Sequence, residues 1–383
     1  MKILPILFSF HVLLLLVFSN LNIEALSVDS KNTSPLVISA RWQKHSSSLS
    51  TPSPPRSGHV AFHLGSVPYI FGGYAEETAS KRYVVNDLWK FISFEKGWEK
   101  VPYTNQNNNK LSPRLVAAAA KLEDKAFIFG GWDSQVAGTG GEILDDVFSF
   151  ECSNNNNNSN NNDSIRLDND NFPPFPTGPT SRHVAVSLND NTILIHDFRC
   201  NDYVWLFTMD EKWIKQPVTG TGPSSRGLHC ASVLASTKSK HVLLFGGADK
   251  QGQMSCETFL LDTMNWEWTK VESPKKGPCG RAGASLVSLS DQSGAILFGG
   301  AKPNDGALQG LNDLWYFSMD TKTWTEIKVM DSIPPGRNAA TLTLVTPPES
   351  HDTDDDTFLL CGGWQPFVKT HDDIWSLHIT KST

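Results

Sequence analysis

Five arginines, Arg56, Arg114, Arg226, Arg281 and Arg337, stand ahead of five acids, Asp87, Asp146, Glu257, Asp313 and Asp373. A guanidinium fork matches the two oxygens of a carboxylate or phosphate. The set therefore admits two readings. Arg56, Arg114 and Arg337 are candidate ligand-binding groups for an acidic ligand, or each arginine ties its loop to the acid on the same face. Aromatic side chains form a second set. Tyr74, Trp132 and Trp364 each directly follow a Gly-Gly pair, and Phe367 lies close behind Trp364. Clustered aromatics of this kind favour docking of a peptide or a sugar. A third group, His183, His196, Asp197 and His229, has metal-ligating side chains, but its spacing matches no metal motif and reads as one degenerate repeat. There is no Gly-rich phosphate loop and no nucleophile elbow. No catalytic residue, metal site or cofactor is expected.

These residues must be positioned by a repeat. An apolar run ending in Gly-Gly occurs at Tyr69–Gly73, Phe127–Gly131, Leu244–Gly247, Leu297–Gly300 and Leu360–Gly363. Later in each unit an acid precedes a large apolar residue by two positions, as in Asp87/Trp89, Asp146/Phe148, Glu257/Phe259, Asp313/Trp315 and Asp373/Trp375. In the same frame, a further unit carries Asp202/Val204, with His196-Asp197 in place of Gly-Gly. The acids recur every 55–60 residues. A second aromatic follows eleven residues after the acid in four units: Trp98, Trp213, Trp268 and Trp324. Each unit thus holds four short β-type runs between turn residues. Repetition at this period is the signature of blades. The expectation is an all-β, six-bladed β-propeller of four-stranded antiparallel blades over residues 38–380. The last unit lacks an outer strand, and the N-terminal segment Ile38–Lys44 carries an unmatched one with Trp42 in the outer-strand role. That segment is expected to complete the last blade and close the ring.

At these residues the chain resembles the kelch-repeat family, on Arg56-Ser57-Gly58-His59, Ile70-Phe71-Gly72-Gly73, Asn86-Asp87-Leu88-Trp89 and Trp98. The resemblance covers roughly residues 38–380. It is specific for fold and unspecific for function, since such propellers serve as adaptors, scaffolds, extracellular proteins and a few enzymes. With strands lettered a to d from the axis outward, the Gly-Gly pairs and the arginines share the face of the b–c and d–a loops. Kelch proteins that bind peptides use that face.

Composition narrows the function. The 383 residues are 39% hydrophobic with 12 Trp and 21 Phe, and the net charge is −7. Such a chain folds on buried apolar surface. It lacks the global basic field of a nucleic-acid binder. Residues 1–25 read as a signal peptide, with Met1-Lys2, an apolar stretch from Ile3 to Phe18 and a cleavage point near Glu24-Ala25, and an uncleaved anchor as the alternative. Residues 26–37 read as a flexible segment, and residues 153–175 as an Asn/Asp-rich insertion in blade 2. Sequons at Asn32, Asn157 and Asn162 are candidate glycosylation sites. Six cysteines exclude a small disulfide scaffold. One disulfide involving Cys256 is compatible with an oxidising compartment, with the pairing unassigned. The reading is a non-enzymatic interaction module of the secretory pathway, secreted or luminal, binding a protein or glycan, without nucleic acid and without membrane insertion once the signal is cleaved. The alternative is a secreted kelch-propeller enzyme resembling sialic-acid mutarotases.

Overall fold

The computed structural model describes residues 37–46, 48–104, 111–135, 140–153, 164–168, 172–272, 277–330, 332–345 and 355–382. Residues 1–25, read above as a signal peptide, nearly all of the segment to residue 37, most of the Asn/Asp-rich insertion and the sequons at Asn32, Asn157 and Asn162 lie outside the described residues.

Among the described residues the fold is all-β. Six antiparallel sheets each contain four strands a to d. The first is Val60–Leu64, Val67–Phe71, Leu88–Ser93 and Gly97–Val101. The second is Ala118–Leu122, Lys125–Asp133, Glu142–Ser153 and Ser164–Asp168. The third is Val184–Asn189, Thr192–His196, Tyr203–Thr208 and Trp213–Pro217. The fourth is Cys230–Ala235, Lys240–Phe245, Thr258–Asp262 and Glu267–Val271. The fifth is Ala282–Ser288, Gly294–Asn304, Leu314–Ser318 and Thr323–Glu326. The sixth joins Thr341–Leu344, Asp355–Cys361 and Ile374–Ser382 with Val37–Lys44 from the N-terminal segment. Trp42 on that strand is buried against Phe298 and Trp375, at ring distances of 4.9 and 6.4 Å. It holds the place that Trp98, Trp268 and Trp324 hold in other sheets.

Alternation along each strand gives every sheet two apolar faces, and each face needs a neighbour. The core is accordingly divided into six clusters, each shared by consecutive sheets. Phe71, Phe148 and Phe150 belong to the cluster between sheets 1 and 2, and Phe129, Phe207 and Ile195 to that between 2 and 3. The cluster of Ile70, Trp89 and Trp98 with Leu359, Cys361 and Ile374 draws on sheets 1 and 6. The six a strands line one cavity of about 410 Å³.

Just before the a strands, six backbone hydrogen bonds run in a cycle. Gly58 N donates to Ala339 O, Ala339 N to Gly283 O, Gly283 N to Leu228 O, Leu228 N to Arg182 O, Arg182 N to Val116 O, and Val116 N to Gly58 O, each at 2.8–2.9 Å. All six residues have φ between 47 and 66°. The left-handed backbone turns each N–H toward the neighbouring unit, and four residues other than glycine accept the conformation because the cycle fixes it.

The Gly-Gly pairs explain themselves by close approach. Gly363 N donates to Arg56 O at 2.9 Å, and a Cβ on Gly362, whose φ is +62°, would lie 2.4 Å from that carbonyl oxygen. No side chain fits there. Gly362→Ala should destabilise the fold by about 1–3 kcal/mol through strain alone, read as a lowered urea midpoint. An unchanged midpoint would contradict this packing.

Candidate functional site

The repeated geometry of the arginines is a clamp inside five of the six sheets. Arg337 is 1% exposed. Its Nη1 donates to Gly362 O at 3.1 Å and to Asp373 Oδ1 at 2.7 Å, and its Nη2 donates to Asp373 Oδ2 at 3.0 Å. Trp375 Nε1 donates to the same carboxylate at 2.8 Å. This explains why the acid precedes a tryptophan by two residues in units 1, 5 and 6. Arg56 and Arg114 are buried likewise, on Gly72 O with Asp87 and on Gly130 O with Asp146. Arg226 and Arg281 repeat the arrangement with Glu257 and Asp313. Burial raises the Asp373 carboxyl, but the bonds and charge of Arg337 outweigh it and hold the group at about 2. Bonds from Lys270 and then Arg226 hold Glu257 at about 2. The guanidinium groups of Arg56, Arg114 and Arg337 are thus committed to ties within the fold.

The third unit breaks this pattern. Thr180 occupies the clamp position, and its carbonyl accepts Gly131 N at 2.9 Å as an arginine carbonyl does elsewhere. The arginine is displaced two residues, to Arg182. That residue is a member of the six-bond cycle, so its side chain leaves the sheet and is exposed on the face of the b–c and d–a loops. The other members of the cycle are Gly58, Val116, Leu228, Gly283 and Ala339, which makes Arg182 its sole charged residue. The guanidinium lies over Trp132, 5.4 Å from the ring centroid.

Around Arg182 is a cavity of about 460 Å³ at units 2 to 4. Ile143, Phe198, Ala248 and Leu228 supply apolar walls, and Arg182, Arg199 and Lys250 supply positive charge. Phe198 is flanked by Arg199 at 4.2 Å and Lys250 at 5.6 Å from its ring centroid. Arg199 is tied to Asp197 at 3.1 Å and to Pro179 O at 3.0 Å. Arg226 is tied to Glu257. Asp249 Oδ1 accepts the backbone N–H groups of Gln251 and Gln253 at 2.9 and 2.8 Å. Among the described residues no ion pair engages Arg182 or Lys250. The cavity thus presents two cations outside any ion pair, Arg182 and Lys250, and one carboxylate, Asp249, beside an aromatic ring, a net positive lining suited to an anionic group carried on an apolar chain.

The face is uneven. Past their Gly-Gly pairs, units 1, 2, 5 and 6 extend into hairpins, with Tyr74–Thr78 paired to Lys81–Val84, Trp132 to Ile143, Lys302 to Gln309, and Trp364–Gln365 to Lys369–Thr370. Unit 3 carries a loop and unit 4 only a short turn closed by the bridge of Ala248 to Met254, and the cavity lies beside that low side. Tyr74 and Trp364 are half-buried within the raised hairpins. Trp364 and Phe367 meet edge to face at 5.6 Å, and Phe367 is 73% exposed. Trp132 is brought to Arg182. Among the described residues it makes no ring contact with Trp364 or Tyr74.

The imidazoles lie beneath this face. His196, standing where other units have glycine, is buried with Nδ1 3.1 Å from His229 Nε2. His183 is buried edge-on to Phe175 at 5.8 Å. Burial holds His183 and His196 down at about 4 and His229 well below the ordinary value. Arg182, Phe198, Arg199 and Lys250 are the residues that aromatic clustering did not select. Their signal was the two-residue displacement of Arg182 from the clamp position.

Repeated four-stranded sheets with a Gly-Gly turn and an internal arginine–carboxylate clamp define a kelch β-propeller. The comparisons agree. Residues 189–383 match the family model described as the KLHDC2/KLHL20/DRC7 Kelch-repeats domain, and the chain belongs to the kelch-repeat family. It is 25% identical over 299 residues to Kelch domain-containing protein 2 of Bos taurus, covering 70% of this chain and 68% of that protein. It is 23% identical over 283 residues to Kelch domain-containing protein 3 of Homo sapiens, covering 73% and 55%. The flagellar outer arm dynein alpha chain of Chlamydomonas reinhardtii is 23% identical over 330 residues, 81% of this chain and 7% of the dynein chain. The chain thus spans little more than half of one of these relatives and a small part of another. Its kelch repeats point to a protein-interaction module.

Proposed function

We propose that the propeller binds an acidic segment of a protein partner in the cavity at units 2 to 4. The observation that carries this is Arg182, an exposed and unpaired guanidinium at the axial end of the cavity where every other unit buries its arginine. Lys250 adds a second unpaired cation, and Phe198 and Ile143 offer an apolar surface for the chain bearing the acid. We read the six sheets as the blades of one closed ring. The six-bond cycle, the cluster shared by sheets 1 and 6, and the N-terminal strand on the sixth sheet support that reading. We further assign the module to the secretory pathway on the order of charge, apolar stretch and small residues at its start. Treatment with peptide N-glycosidase should then lower the mass of the chain made in secreting cells, through Asn32, Asn157 or Asn162. An unchanged mass would count against it.

The test of the binding reading is panning of a display library of 12-residue peptides on the purified chain. Acid-bearing binders should emerge, and Arg182→Glu should weaken them by about tenfold or more. Binders without acidic residues, or indifferent to Arg182→Glu, would overturn the reading.

A further inference from the structure

The Arg182 cavity has a charged part and an apolar part, and one ordinary acidic side chain does not serve both. The charged part is the exposed pair Arg182 and Lys250, outside any ion pair among the described residues. Asp249 beside them is already engaged by the backbone N–H groups of Gln251 and Gln253. The apolar part is the half-buried Phe198, with Leu228 and with Ile143, which is 42% exposed. Phe198 is held from behind. Its carbonyl accepts the Ser225 hydroxyl at 2.6 Å, and Arg199, bonded to the buried Asp197, lies 4.2 Å from its ring centroid. Lys250 stands 5.6 Å from the same centroid, so cation and ring are adjacent in one cavity of about 460 Å³. An aspartate or glutamate carries its charge on one or two methylenes. Seated on Arg182, it brings no ring to cover Phe198, and its two oxygens fill one guanidinium fork and leave the ammonium of Lys250 unmatched. A tetrahedral oxyanion esterified to an aromatic ring matches the whole lining. Its three free oxygens reach the fork and the ammonium together, and its ring packs against Phe198 and beside the guanidinium planes.

We propose that the acidic residue received by this cavity is a tyrosine esterified with sulfate or phosphate, its ring against Phe198 and its ester oxygens on Arg182 and Lys250. The inference rests on the binding function proposed above and names the acid within it.

The test starts from an acidic 12-residue binder obtained by panning. The acid whose removal weakens it most is replaced by tyrosine, sulfotyrosine or phosphotyrosine, and each peptide is titrated into the full chain by calorimetry. At least one ester should bind about tenfold more tightly than the acidic parent, and unmodified tyrosine more weakly than the parent. The tighter of the two esters identifies the source of the oxyanion. Phe198→Ala should weaken the ester peptide about fivefold and the parent less than about twofold, and retained binding of the parent shows that the variant is folded. Esters no tighter than the parent would overturn the inference, and a parent that still depends on Arg182 would leave the acidic-segment reading standing. Equal weakening of ester and parent by Phe198→Ala would overturn the placement of the ring and the inference with it. Peptides all indifferent to Arg182→Glu would overturn both readings.

Discussion

Arg337→Ala is expected to lower the stability of the propeller by about 3–5 kcal/mol, because one partner of a buried charge pair is removed and the other is left behind. The variant leaves Asp373 with only its indole donor from Trp375, and it strips the Gly362 carbonyl of a charged donor. Arg182→Ala, by contrast, should fall within about 0.5 kcal/mol of wild type, as an exposed substitution away from a tie does. Urea denaturation followed by tryptophan fluorescence measures both. The contrast separates arginines that hold the fold from the exposed arginine of the third unit. Equal effects at the two positions would contradict the division.

Acidification should unfold the protein as its buried imidazoles are forced to take up protons. His59 is held at about 3 by burial and then by the charge of Arg56, His183 at about 4 by burial, opposed by Asp197 and reinforced by Arg199, and His371 at about 4 by burial and then Arg337. Each has a folded value below its unfolded one, near 6.5. Between those values the unfolded chain binds more protons, so stability is full above about pH 6.5 and falls as pH drops toward 4. Each imidazole contributes about 3 kcal/mol to that loss. Three together approach the whole stability of a typical domain, about 5–15 kcal/mol. The acid transition, read by tryptophan fluorescence, should lie between pH 4 and 6. His183 has no hydrogen-bond partner on either ring nitrogen among the described residues. His183→Leu should therefore keep neutral-pH stability and move the acid midpoint down. A midpoint that stays in place would show that the imidazole is not the group being protonated.

Much of the fold was legible because its constraints are local and repeated. Gly-Gly, the acid with its following tryptophan, and the outer tryptophan each answer one requirement of a four-stranded sheet, and each recurs. The place of Trp42 followed from a missing strand in the last unit. The site was less legible for the same reason. A repeat reveals what all units share, whereas binding chemistry lies where one unit departs. His196-Asp197 was visible as a departure, but the place of the arginine in that unit was not. Whether a side chain two residues past the clamp points into the sheet or across the face depends on the left-handed backbone of the hydrogen-bond cycle, which joins six distant segments. The aromatic ring residues were visible as a set. That Trp132 pairs with Arg182 rather than with Trp364 depends on which units raise hairpins and which leave the face low.

The most direct test of the account is calorimetric titration of an acidic 12-residue binder into the wild-type chain and into Arg182→Glu. The account predicts that the charge reversal weakens binding by about tenfold or more while the urea midpoint is unchanged. Equal affinity for the two proteins would contradict the assignment of the Arg182 cavity as the binding site.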